Sequence, residues 1–324
     1  MTTASGKVAL VGAGYWGKNL ARNFAEIGAL EAIVDNDAAT ANAVSQTTGA
    51  SVRSLSDVLS DPSIDGLAIA TSAPTHVDIG LKALDAGKHI FVEKPLALDA
   101  EGAQILIDKA AASDRVLMVG HLLRYHPVFQ KMLGIVQSGS VGSLRFVHSD
   151  RMSLGKFRIE ENVLWSFAPH DISMVLALAG ETPDKVSAQA ADYVTPDIAD
   201  IAMLQLAFPS GIKASIRCSW LHHRKVQQIV AVCESGFVVF DDAEPDWSKK
   251  LAVHHYELAS AGGAPVPQRG ETEYVDVPHK EPLKEECRHF IRAIESNGRP
   301  LTDGIEGRAV VEVLQQATLA LGER

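Results

Sequence analysis

The chain has 324 residues and carries 40 acidic side chains against 30 Lys and Arg, a formal net charge of −10. That balance argues against nucleic acid and anionic membrane surfaces as partners, and no run approaches the ~20 apolar residues that span a bilayer. At 46% hydrophobic and 22% charged the composition is globular, and the length exceeds what one core usually serves, so two domains are expected.

The N-terminal "MTTASGKVALVGAGYWG" enters a strand and a glycine loop without the charged region and long apolar core of a signal peptide. The cysteines, Cys218, Cys233 and Cys287, make no CxxC motif and cannot all pair. Both features point to a reducing, cytoplasmic location. From residue 7 to about 120, short apolar runs alternate with amphipathic stretches. Val8–Val11 reads as a strand and Tyr15–Ile27 as a helix; Leu30–Val34 is a second strand, and 40–48 a helix. Leu67–Ala70 is a strand before a helix over 76–86, Ile90–Val92 a strand before a helix over 99–112, and Val116–Val119 closes the series. Near-continuous apolar strands between helices specify a parallel sheet covered on both faces, a doubly wound Rossmann domain over residues 1–122.

Beyond residue 122 the period changes. Alternating segments at 144–152, 185–194, 198–208, 212–220, 226–233 and 237–241, joined by turns such as "FPSG" and "ESG", predict an antiparallel sheet. Helices at about 128–138, 167–179 and 282–297 accompany it, and 258–271 reads as a loop by composition. Residues 123–324 are thus expected to form an α/β domain with a large open, mainly antiparallel sheet, whose last helix, 304–321, can return to the first domain. In 201–208 both alternating sets hold large apolar residues, so the open sheet is expected to meet another subunit in a homodimer or homotetramer.

"VGAGYWG" places Gly12-x-Gly14-x-x-Gly17, with Tyr15 and Trp16 inside it, between a strand and a helix. Gly12 permits the tight turn, Gly14 lets backbone approach a pyrophosphate, and Gly17 lets helix and strand pack closely. The helix N-terminus supplies N–H groups to the phosphates. Asp35 ends the second strand, where a carboxylate accepts both ribose hydroxyls and repels a 2′-phosphate; with no arginine close behind it, NAD is favoured over NADP.

Two further elements follow: "IATSAPTH", with Thr71, Pro74 and His76 after a strand end, and "GKHIFVEKPLAL", in which a buried strand stops at Glu93-Lys94 before Pro95. With the glycine loop and "LWSFAPHDIS", these motifs resemble the Gfo/Idh/MocA oxidoreductase family over essentially the whole chain. The resemblance implies a Rossmann domain followed by an open-sheet α/β domain, and an NAD-dependent dehydrogenase acting on a CH–OH group. It implies that Lys94 points at the reacting carbinol and the nicotinamide, where an ammonium stabilises growing alkoxide character. Thr71, Pro74, His76, Glu93 and Lys94 are expected at the cofactor.

Ser166 is a candidate N-cap, which would place His170 near a helix N-terminus, held neutral and able to take the hydroxyl proton. Many family members carry an aspartate where this chain has Ser166; Asp171 lies about 100° further round the helix and is poorly placed to replace it. The forms "VLWSFAPHDIS", "SWLHHRK" and "VVFDDAEP" resemble the nucleotide-sugar subgroup, UDP-N-acetylglucosaminuronate 3-dehydrogenases, which act at C3. Arg124, His126, His222 and Arg224 are candidate holders of a diphosphate or uronate, with Ser166 and the segment 151–158 beside them. A solvated-loop reading of those charges stays open. So do a free-sugar or cyclitol dehydrogenase and a non-catalytic NAD-binding regulator. The histidines show no ligand spacing for a metal, and none is expected.

Overall fold

The computed structural model describes residues 6–259 and 262–322. The chain forms two compact units. The first comprises residues up to Tyr125 together with Lys280–Glu312; the second comprises His126–His279 and the chain from Val313 on.

In the first unit the elements run β1 (Val8–Val11), α1 (Gly17–Glu26), β2 (Leu30–Val34), α2 (Ala38–Thr48), β3 (Ser51–Val52), α3 (Leu55–Ser60), β4 (Gly66–Ile69), α4 (His76–Asp85), β5 (His89–Glu93), α5 (Ala100–Ala112) and β6 (Leu117–Gly120). The six strands are parallel in the order β3-β2-β1-β4-β5-β6. The order reverses between β1 and β4, the switch point where open α/β sheets bind ligands beyond their strand C-termini. Residues 8–11, 66–69 and 90–92 are buried on both faces, which is why they read as continuous apolar runs.

One face of this sheet carries α4 and α5 over Leu67, Ile69, Ile90 and Val92. The other carries α1 and α8 (Pro282–Ser296), where Phe24, Phe91 and Phe290 meet edge to face at centroid distances of 5.8–6.4 Å. Sequence had assigned α8 to the second domain. Its apolar stripe of Leu283, Cys287, Phe290 and Ile291 packs in the first unit's core instead, because that stripe matches the phenylalanine cluster there. Of the last helix, α9 (Gly304–Gly322), the portion through Glu312 belongs to the first unit and the rest to the second.

The second unit contains α6 (Pro127–Ser138), β7 (Leu144–Leu154), α7 (Val163–Ala179), β8 (Lys185–Ala191), β9 (Ile201–Ala207), β10 (Lys213–Ser219), β11 (Leu221–Cys233), β12 (Gly236–Asp241), β13 (Leu251–Ala259) and β14 (Val266–Tyr274). They form an eight-stranded sheet ordered β14-β13-β12-β11-β7-β10-β9-β8, antiparallel except for the β7–β10 pair. The strands β13 and β14 replace most of the expected loop at 258–271; residues 260 and 261 lie outside the described residues. Composition misled there because β14 is exposed throughout and carries no buried alternation. On β9, Ala202, Leu204 and Leu206 are buried while Met203 and Gln205 face out, the period-2 signature of a sheet with one covered face.

Candidate active site

The glycine loop follows β1 at the switch point. Gly12 has φ +93°, and a side chain there would strike the Ala70–Thr71 backbone at 2.8 Å. A methyl at Gly17 would lie 1.9 Å from the Gly12 carbonyl oxygen. A methyl at Gly14 would meet nothing within 4 Å. Two glycines therefore shape the loop, and the third leaves backbone open beside it. The first residue of α1 follows Trp16, which gives no side-chain cap; the Lys18 and Asn19 N–H groups turn back to the Gly14 and Trp16 carbonyls at 3.2 and 2.8 Å, so an anion here would meet the loop ahead of them and the positive end of the helix dipole. Tyr15 is 81% exposed, with Lys18 Nζ 5.3 Å from its ring centroid. This combination fits a dinucleotide pyrophosphate.

Asp35 follows β2 as expected. One carboxylate oxygen accepts the Ala13 N–H at 2.6 Å and the other the Asp37 N–H at 2.8 Å. The acid that would read the ribose thus also ties the loop to the second strand.

Lys94 follows β5 at the ligand edge, half-buried, and its bond to Pro95 is cis. Glu93 is buried behind it. Its Oε1 accepts the Trp16 indole N–H, and its Oε2 accepts the Lys94 backbone N–H at 3.2 Å. Burial pushes the Glu93 carboxyl up to about 7, against the opposing pull of Trp16 and Lys94. Glu93 therefore clamps the glycine loop to the lysine strand.

Thr71 bonds Thr75 side chain to side chain at 2.7 Å, and Pro74 lies in the short turn Ala73–Thr75 before α4. His76 is 1% exposed, and its ring nitrogens lie 2.8 Å from the Pro95 carbonyl and 3.1 Å from that of Thr71. Burial lowers its pKa against those two carbonyls. The imidazole fastens the β4–α4 turn to the Lys94–Pro95 turn and acts through the backbone of both. Arg124 is buried, and its guanidinium reaches Glu306 at 3.3 Å; His121 binds the same carboxylate at 2.6 Å. Its charge already faces a carboxylate, which the sequence reading did not anticipate.

In the second unit, α7 begins earlier than expected. Its N-cap is Asn162, whose side chain accepts the Trp165 N–H at 3.2 Å. Ser166 is therefore a buried residue inside the helix, not its cap, and Pro169 is also interior. His170 lies two turns into the helix, so the dipole argument for its neutrality loses force, since that field acts mainly in the first turn. His170 and Ser166 share a face, one turn apart. Asp171 points elsewhere: it is 1% exposed and accepts Arg151 Nε at 2.6 Å and Ser149 Oγ at 2.7 Å from β7. Burial works against the Arg151 charge, and Asp171 more than offsets it, raising the pKa. The helix that carries His170 is thus bolted to the sheet by the residue next to it.

His222 and Arg224 lie in an irregular stretch of β11, where the pairing with β7 breaks between Leu221 and Val226. His222 Nδ1 lies 2.9 Å from the Arg224 carbonyl, and its ring meets that of His223 at a centroid distance of 4.5 Å, tilted by 49°. The buried Trp220 anchors the base of this bulge, donating its indole N–H to Asp200 at 2.5 Å. His126 is buried and serves α6: its Nδ1 accepts the Val128 N–H, and its ring packs on Phe240 and Trp247. Of the 151–158 segment, residues through Leu154 belong to β7, and Phe157 packs on Trp220.

Residues 6–121 match the model of the oxidoreductase family with an NAD-binding Rossmann fold, and residues 129–239 match the GFO/IDH/MocA C-terminal domain. The chain belongs to the Gfo/Idh/MocA family. As a member it is a sugar oxidoreductase, a dehydrogenase of CH–OH groups, which sets the regulator reading aside. It is 26% identical over 317 residues, 97% of each chain, to the UDP-N-acetylglucosamine 3-dehydrogenase of Acidithiobacillus ferrooxidans, whose solved structure superposes with a TM-score of 0.86 over 97% of each chain. It is also 26% identical over 308 residues to an inositol 2-dehydrogenase of Rhizobium meliloti, covering 91% of this chain and 90% of that one. A levoglucosan dehydrogenase solved with NADH and levoglucosan, 20% identical, shares the fold with a TM-score of 0.83 over 98% of this chain and 97% of that one.

Proposed function

We propose that this Gfo/Idh/MocA enzyme uses NAD to oxidise, or NADH to reduce, the C3 position of a nucleotide-linked sugar. The observation that carries the proposal is the Trp16–Glu93–Lys94 linkage, which joins the glycine loop to a lysine at the ligand edge of the sheet. NAD, when bound, supplies the hydride acceptor. Lys94 donates a hydrogen bond to the carbinol oxygen and stabilises the alkoxide character that grows as the C–H bond breaks. His170 takes the hydroxyl proton, and Ser166 on the same helix face offers a hydroxyl in place of the aspartate that many relatives carry. Asp35 favours NAD, because its carboxylate would repel a 2′-phosphate.

Support for a nucleotide-linked substrate is the basic bulge His222-His223-Arg224-Lys225, suited to a diphosphate, and the similarity to the UDP-N-acetylglucosamine 3-dehydrogenase over 97% of each chain. The second reading is a cyclitol dehydrogenase, favoured by an inositol 2-dehydrogenase of the same 26% identity. NADH formation with UDP-sugars, free sugars and cyclitols, together with calorimetric titration of each, separates the two. Turnover confined to free cyclitols would overturn the first. Met203 and Gln205 lie on the uncovered face of the eight-stranded sheet, and we assign that face to a homodimer or homotetramer, testable by light scattering with charged substitutions at Met203.

A further inference from the structure

The apolar stripe of α8 contains an acid. Leu283, Glu286, Cys287, Phe290 and Ile291 follow helical spacing toward the core, and Glu286 is 0% exposed. Neither carboxyl oxygen of Glu286 has a hydrogen-bond partner among the described residues. Its position follows from the aromatic contact beside it. Phe290 meets Phe91 at 5.8 Å. One turn toward the start of α8 lies Glu286; two residues along β5, on the same face, lies Glu93. Ile294, one turn further along α8, lies against Gly66, the β4 partner of His89 at the start of β5, so α8 runs against β5; both steps then advance about 6 Å in the same direction, and the two carboxyls share one stretch of core. The Glu93 carboxyl lies over Gly120, where a side chain would strike it at 2.9 Å. That glycine makes room for the Glu93 carboxyl.

We propose that Glu93 and Glu286 form a buried carboxyl pair holding a single proton, and that Glu286 is thereby a positioning residue for Glu93 and, through it, for the Trp16 indole and the Lys94 backbone. Glu93 has donors for a negative charge, the Trp16 indole and the Lys94 N–H. Glu286 has none, so it keeps the proton. Burial first, and the Glu93 charge second, raise its pKa well above the ordinary range. Among the described residues, the other groups facing the pair give it no compensating cation apart from Lys94. From α1, Asn23 is buried and turned to Asn19 and Glu281. From the turn after β6, Tyr125 bonds Thr302, while Arg124 is directed to Glu306. From α8 itself, Cys287 is buried, its thiol pushed up by burial and then by Glu286, Glu93 and Glu281. A second negative charge would act against the carboxylate that holds the cofactor loop to the lysine strand. The inference rests on the NAD-binding fold and not on the identity of the sugar.

Both acids bind a proton more tightly folded than unfolded. Between the ordinary glutamate value and the raised folded value, the folded state holds more protons, so stability falls as pH rises. Glu286→Gln keeps the shape and removes the Glu286 part of that fall. The test measures the melting temperature of the full-length protein from pH 5 to 9, with NADH affinity at each pH. The expected result is a melting-temperature gain of the variant over wild type that grows with pH, equal NADH affinity near pH 7, and tighter NADH binding by the variant at pH 9. A pH-independent difference, or NADH affinities that track each other throughout, overturns the proposal. If Glu286→Gln does not fold, Glu93→Gln serves: the decline of melting temperature between pH 5 and 7 should become shallower than in wild type, and an unchanged decline overturns the proposal equally. Infrared difference spectra give a readout that structure alone would not move: a neutral-carboxyl band at pH 8 present in wild type and absent in Glu286→Gln, against a carboxylate band if Glu286 is ionised.

Discussion

The two units arrange their chemistry by different means. In the first, backbone sets the positions, which Asp35, Glu93 and His76 then fasten: Gly12 and Gly17 shape the loop because no side chain fits, and Lys94 is delivered by a strand whose register with β4 and β6 is continuous. In the second, side chains do it. His170 sits mid-helix, and its orientation depends on Asp171 being held by Arg151 and Ser149. Backbone devices leave marks in sequence as glycines and apolar runs. Side-chain clamps across a sheet leave almost none.

Substitutions can break this contrast. The largest effect is expected from Asp171→Ala, which strands the buried Arg151 charge; removing one member of a buried pair costs about 3–5 kcal/mol. Urea denaturation should show it, and a loss under 1 kcal/mol would mean that Arg151 finds water instead. Next is Gly17→Ala, whose methyl collides with the Gly12 carbonyl; overpacking of this kind costs about 1–3 kcal/mol, and both melting temperature and NADH binding should fall. Smallest in stability is Gly14→Ala, with open space around it. It should stay within about 0.5 kcal/mol of wild type while NADH affinity drops, because only a ligand would meet the added methyl. Equal losses of affinity and stability at Gly14 would remove the distinction between loop-shaping and ligand-facing glycines.

Particular residues show where the sequence was legible. The Rossmann strands were readable because both faces are buried, which produces runs such as Val8–Val11. Ser166 was misread as a cap because the helix starts one turn earlier, after Asn162, whose side chain reaches the Trp165 N–H. The strands β13 and β14 were hidden by exposure and by Gly and Pro within the hairpin. The Arg124–Glu306 contact was out of reach, since its partners are 182 residues apart. Glu286 did leave a signal, an acid at a core position of an amphipathic helix.

The central claim is that Lys94 acts on the reacting oxygen and not in holding the cofactor. Lys94→Met is its most direct test, with NADH binding and turnover of the accepted sugar measured on the same preparation. The account predicts turnover lower by about 10²–10³-fold, the scale of a lost transition-state hydrogen bond, with NADH affinity unchanged. Turnover near the wild-type level, or a loss explained wholly by weaker NADH binding, would contradict it.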